Sequence, residues 1–231
     1  MTTINQETNP NQSVLKMLRA LMPARVLTYH EALQRAELQA GRLLALHQIT
    51  GPAVSIEIVT EQPCIRVKRS YDLPASGSAH WSGTDWVITL NAAEYEPRQR
   101  FSLLHEYKHI IDHPTRHLIQ GDPRVKLTAE QVAEKVADYF AGCVLMPKAW
   151  VKTAFCSETQ SIERLAAKFH VSPKAMSYRI SQLGLIEPAD RCSRDTSRPS
   201  SSTRTWPSQR RYLRAFSASP SSSRSRAGSL A

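Results

Sequence analysis

His105-Glu106-Tyr107-Lys108-His109 constrains this chain more than any other stretch. It reads H-E-x-x-H inside Phe101-Ser-Leu-Leu-His-Glu-Tyr-Lys-His-Ile-Ile-Asp-His113, and neither Gly nor Pro interrupts residues 98–113. Phe101, Leu104, Ile110 and Ile111 recur at helical spacing, so a helix is expected here. One turn separates His105 from His109, which lets two imidazoles reach one ion while Glu106 stands beside the first of them. That pattern suits zinc and a water.

Catalytic zinc takes N or carboxylate O ligands at about 2.0–2.2 Å and keeps one coordination position open. Two histidines do not complete such a site, so a third ligand is expected downstream. The candidate is Glu134, in Glu134-Lys-Val-Ala-Asp138-Tyr-Phe-Ala-Gly-Cys-Val-Leu-Met-Pro147. His113, one turn past His109 on the same face, is the alternative. Asp138, one turn after Glu134, is placed to accept the second ring N–H of a ligating histidine and so fix its tautomer.

Around this centre the chain divides by composition. A short N-terminal arm, disordered at its start, is expected over 1–22, with an amphipathic stretch from Val14 to Leu21. Thr28-x-x-Glu31 is a capping-box pattern that opens a long helix, stopped at Gly51-Pro52. Residues 54–61 read equally as strand or short helix. Ile65-Arg-Val-Lys68 alternates like a strand, 72–77 reads as a loop, and Ala79-His-Trp81 and Trp86-Val-Ile-Thr-Leu90 read as a hairpin. Residues 78–82 are the candidate edge strand against which an extended polypeptide would pair. Thr128-x-x-Gln131 opens the next helix, which runs to about Leu145. Residues 161–185 resemble a helix-turn-helix, with Ser172-Pro173 as cap and first turn of the second helix and Lys174, Arg179 and Gln182 as loose candidates for DNA contact.

The net charge of +10 points toward nucleic acid until it is located. From Ala189 onward there are nine Arg and two Asp, a charge of +7, which leaves +3 for everything before it. The basic balance therefore belongs mainly to a Ser/Arg-rich, low-complexity tail over 188–231. No run of about twenty apolar residues is present, so no membrane partner is expected. The first residues lack the basic and apolar blocks of a signal peptide, which implies the cytosol. Cys64, Cys143, Cys156 and Cys192 show no C-x-x-C spacing and read as free thiols.

Taken together, Arg100-Phe-Ser-Leu-Leu-His-Glu-Tyr-Lys-His109, Glu134-x-x-Ala-Asp-x-Phe-Ala-Gly-x-x-Leu-Met-Pro147 and the later Leu-Ala-x-x-Phe-x-Val-Ser segment resemble the ImmA/IrrE family of metallo-endopeptidases across residues 20–187. The resemblance implies Zn2+ on His105, His109 and Glu134, with Glu106 as general base. It implies an α+β fold: a minimal zincin-like metallopeptidase domain over 23–150 with a small antiparallel sheet and active-site helices, followed by a helix-turn-helix-like segment over 151–187. It also implies a protein substrate, an XRE-type helix-turn-helix repressor encoded nearby, cut to release phage, mobile-element or stress genes. Tyr107-Lys108 stands where the family often has small residues such as Leu-Gly. A donor to the tetrahedral oxyanion is also needed, and His80, Tyr107 and Tyr139 are the candidates, although the position of His80 favours a surface hairpin residue. The competing reading is a DNA-associated regulator or toxin–antitoxin component whose metal site is not catalytic. An intact Glu106 weighs against it, because a structural site needs no base beside its first ligand.

Overall fold

The computed structural model describes residues 13–124 and 126–185, all within one compact unit. The tail expected over 188–231 and the first twelve residues of the expected N-terminal arm lie outside the described residues. The elements, in order, are α1 (Val14–Arg19), α2 (Tyr29–Leu46), α3 (Glu57–Thr60), β1 (Ile65–Ser70), β2 (Gly77–Trp81), β3 (Trp86–Asn91), α4 (Glu96–Asp112), α5 (Ala129–Leu145), α6 (Lys148–Ser157), α7 (Ile162–Phe169) and α8 (Pro173–Gln182). A 3-10 turn, His113–Leu118, follows α4.

Side-chain caps set most of the helix starts. Thr28 and Glu31 form a reciprocal capping box on α2, and Thr128 and Gln131 do the same on α5. Ser161 and Ser172 cap α7 and α8. α1 forms from the amphipathic stretch of the arm: Leu18 is fully buried, and Arg19 donates to the carbonyls of Ile110 and Ile111 at the C-terminal end of α4. The ambiguous stretch before β1 resolves as the short helix α3, which buries Ile58 and Val59. α6 opens just ahead of the segment expected over 151–187, and Val151, Ala154 and Phe155 supply its buried face at helical spacing.

The core is a helical layer in which α5 packs on both α2 and α4. α2 contributes Ala32, Ala36, Ala40 and Leu43; α5 contributes Val132, Val136, Phe140 and Val144; α4 contributes Leu103, Leu104, Ile110 and Ile111. The sheet lies against α4, which contacts both β2 and β3.

The sheet corrects the antiparallel expectation. Its order is β1-β3-β2, with β2 antiparallel to β3 but β1 parallel to it. β3 takes the centre because Trp86, Val87, Ile88 and Leu90 are all buried, whereas β1 and β2 are largely exposed. The turn Ser82–Asp85, with Gly83 at φ +99°, joins β2 to β3. Ser70 at the end of β1 pairs with Asn91, and Gly77 at the start of β2 pairs with Leu90. Residues 71–76 therefore need only cross one end of β3. Asn91 holds that crossing, its side-chain amide donating to Leu73 O at 3.0 Å and its backbone N–H to Ser76 O at 3.1 Å. β2 is left as an edge strand beside α4.

Candidate metal centre

α4 presents two faces. Leu103, Leu104, Tyr107, Ile110 and Ile111 are buried in the core, while Phe101, His105, Glu106 and His109 are only half-buried. α5 packs against α4 and brings Glu134 to both histidines. The Nε2 atoms of His105 and His109 are 3.1 Å apart. Glu134 Oε2 lies 3.2 Å from His105 Nε2, and its Oε1 lies 3.3 Å from His109 Nε2. With one ligand atom taken from each of His105, His109 and Glu134, the three lie within 4.8 Å of one another, a donor set of the chemistry and size that zinc takes. Among the described residues it is the one such cluster. The Glu134 side chain is 61% exposed, so one side of the triangle stays open to solvent and substrate.

Asp138 Oδ1 lies 2.9 Å from His105 Nδ1. A proton on Nδ1 shared with this carboxylate leaves the Nε2 lone pair facing the cluster. Burial acts to lower the His105 pKa, but the Asp138 bond and the charges of Asp138, Glu134 and Glu106 outweigh it, and the net shift is upward. Burial, helped by the charge of His105, moves His109 downward. A cation in the triangle overrides the first of these shifts, because a ligating imidazole is neutral.

Glu106 lines a cleft of 320 Å3 with His105, Glu134, Asp138 and residues 75–77. Burial raises its carboxyl above the ordinary range, with His105 opposing and Glu134 reinforcing the shift. Gly77, at the start of the edge strand, faces this carboxylate. A Cβ there would stand 3.0 Å from Glu106 Cγ and 3.1 Å from its Oε1. The sequence reading took Gly77 as the end of a loop; its value is the close approach it allows. Arg98, Phe101 and Ser102 also line the cleft, and no spacing pattern in the sequence marks them as site residues.

The other candidates fall elsewhere. His113 lies past the end of α4, its ring 4.9 Å from that of Trp86, and takes no part in the cluster. His80 is exposed on β2, on the face opposite Gly77 and Ala79, because neighbouring residues on a strand point to opposite sides. Tyr107 is fully buried and donates to Gln62 Oε1 at 2.7 Å. Tyr139 donates to Glu37 Oε2 at 3.2 Å and lies 5.4 Å from the Arg179 guanidinium, with burial the main cause of a pKa pushed up to about 12. None of the three proposed oxyanion donors lines the cleft. Lys108, the other departure from the family pattern, is buried and donates to Asp112 Oδ1 at 2.5 Å and Gln39 Oε1 at 2.8 Å.

The helix-turn-helix-like pair is bound into the same unit. Arg179, a candidate for DNA contact, is 1% exposed. Its guanidinium donates to Met146 O at 3.0 Å and Gln182 Oε1 at 3.2 Å and approaches Cys143 Sγ at 3.4 Å. It fastens α8 to α5.

The family model described as the IrrE N-terminal-like domain, a peptidase family, matches residues 61–181, which is more than half of the chain and reaches through α7 into α8. No curated protein sequence matches. Among solved structures, a Mycobacterium tuberculosis transcriptional regulator shares the fold with a TM-score of 0.52 and 16% identity, over 74% of this chain and 52% of that one. The chain thus spans about half the length of that regulator.

Proposed function

Because this chain belongs to the IrrE N-terminal-like domain family of peptidases, we propose that it is a zinc-dependent endopeptidase. Its proposed substrate is an XRE-type helix-turn-helix repressor in the cytosol, cut to release phage, mobile-element or stress genes. One observation carries the reading: the two imidazole Nε2 atoms stand 3.1 Å apart, each within 3.3 Å of one Glu134 oxygen, with the carboxylate of Glu106 in the same open cleft.

His105, His109 and Glu134 would hold a zinc ion, which would supply Lewis acidity for hydrolysis of a peptide bond. Glu106 accepts the proton of the attacking water and passes it to the leaving amine. Its raised pKa brings the carboxyl nearer the working pH, which favours a group that must both take and return a proton. Asp138 keeps His105 in the productive tautomer. The exposed edge of β2 offers main-chain groups to an extended substrate, and Gly77 leaves room for it beside Glu106.

The competing reading, a DNA-associated regulator, retains Lys174 and Gln182 as exposed polar residues on α8, but its third candidate, Arg179, is spent internally. The test is to incubate zinc-loaded protein with the repressor encoded beside its gene. Wild type is expected to yield two fragments, and Glu106→Gln, carrying as much zinc, to leave the repressor whole. Cleavage by the variant at the wild-type rate, or an intact repressor with both proteins, overturns the reading.

A further inference from the structure

A second depression, of 1040 Å3, continues from the metal cleft. The two share Arg98 and Phe101 on α4 and Asp138 on α5. From there the groove follows α5 through Gly142 to Met146 and α4 back toward Tyr95, with α8 as its far wall. Its character differs from that of the cleft. Where the cleft is rich in charged and polar groups, the groove is bordered by Tyr95, Phe101, Met146, Ala175 and Tyr178. Two of these are large aromatic side chains left uncovered, Tyr95 at 58% and Tyr178 at 64% exposed. Exposed aromatics beside a concave surface are typical anchors for a bound polypeptide.

Charge argues against nucleic acid as the occupant. Glu94 and Asp138 face the groove, Arg98 is engaged by Ser76 and Glu94, and Arg179 is committed to Met146, which leaves Lys174 as the single uncommitted cation among the described residues lining it. A phosphate backbone needs several uncommitted cations along its path. A polypeptide paired with the β2 edge, its scissile carbonyl beside Glu106, meets this groove directly at one end of the cleft.

We propose that the groove is the specificity site of the peptidase, seating the substrate polypeptide as it leaves the metal cleft, with one large apolar or aromatic side chain held against Phe101, Ala175 and Tyr178. Glu134 and Gly142 stand a little over two helical turns apart, about 12 Å along α5. An extended chain covers that distance in about four residues. The anchored side chain therefore lies about four residues from the scissile bond, and α8 acts as a wall for protein substrate. That the occupant is a substrate rests on the peptidase reading; that the groove binds a polypeptide does not.

The experiment separates the two. Full-length protein carrying Glu106→Gln and loaded with zinc is panned against a random dodecapeptide library, and the enriched peptides are synthesised and titrated. They are expected to share an aromatic or large aliphatic residue. Adding Tyr178→Ala, at an exposed position that leaves folding intact, is expected to weaken them tenfold or more with zinc content unchanged. Ala175→Trp, which fills the groove, is expected to do the same. No enriched sequence, or enriched peptides that bind both variants within twofold, overturns the proposal. So does a protein in which Tyr178→Ala abolishes binding to a 20-base-pair duplex and leaves the peptides unaffected. Peptides that depend on Tyr178 but are never cut by the wild type support the groove and refute the peptidase reading.

Discussion

At the scale of single residues, the helix that carries His105 and His109 is fixed from behind by a buried ion pair. Lys108 is 1% and Asp112 6% exposed, and burial lowers the lysine pKa while Asp112 opposes that shift. Removing one partner of such a pair leaves an uncompensated buried charge, whereas replacing both by apolar groups of similar volume is often neutral. Asp112→Ala is therefore expected to destabilise the fold by about 3–5 kcal/mol in denaturant unfolding. The double change Lys108→Met with Asp112→Leu is expected to recover part of that loss, because the buried Gln39 Oε1 then lacks its donor, and a double variant as unstable as the single one contradicts this account. Gly77 yields a prediction on activity. With a Cβ only 3.0 Å from Glu106 Cγ, Gly77→Ala must displace the carboxylate, and a misplacement of about 1 Å can cost about a hundredfold in rate. A fall in kcat of tenfold or more at unchanged zinc content is expected, and an unchanged kcat would show that Glu106 has slack. His105, His109, Glu134 and Asp138 were legible in the sequence because spacing of four on a helix dictates a shared face. The same rule should have excluded Tyr107. Two residues from His105 it points to the opposite side of α4, where it meets Gln62.

Among the secondary-structure elements, helix starts were the easiest to read and sheet order the hardest. Both capping boxes form as written, because a cap is settled within four residues. The parallel pairing of β1 with β3 depends on which strand is buried on both faces and on where residues 71–76 cross, and no local pattern carries that. The cap on α2 has a measurable consequence. The Arg25 guanidinium, and then the Thr28 backbone and hydroxyl, hold the Glu31 carboxyl at about 2 against an ordinary 4.5. A carboxyl depressed in the folded state contributes stability above about pH 4.5 that is lost as pH falls through about 2. Glu31→Gln keeps the neutral capping geometry and removes the charge. The wild type is thus expected to melt above the variant at pH 7, and the gap to shrink steadily between pH 5 and pH 3. A gap that stays constant across that range contradicts the assignment.

For the whole molecule, charge and fold separate. The family match ends at residue 181, while +7 of the net +10 lies beyond Ala189. Removing residues 189–231 is expected to leave the melting temperature and peptide cleavage unchanged, and to abolish any retention on nucleic acid that weakens steeply with salt. A truncated protein that loses cleavage would make the tail part of the enzyme. The central claim is that His105, His109 and Glu134 form a metal centre with Glu106 beside it as base. The most direct measurement is the metal content of purified wild type, Glu134→Ala and Glu106→Gln by elemental analysis after dialysis. About one zinc per chain is predicted in wild type and in Glu106→Gln, with most of it lost from Glu134→Ala. Full zinc in Glu134→Ala would contradict the ligand assignment, and loss of zinc from Glu106→Gln would make Glu106 a ligand and leave the site without its base.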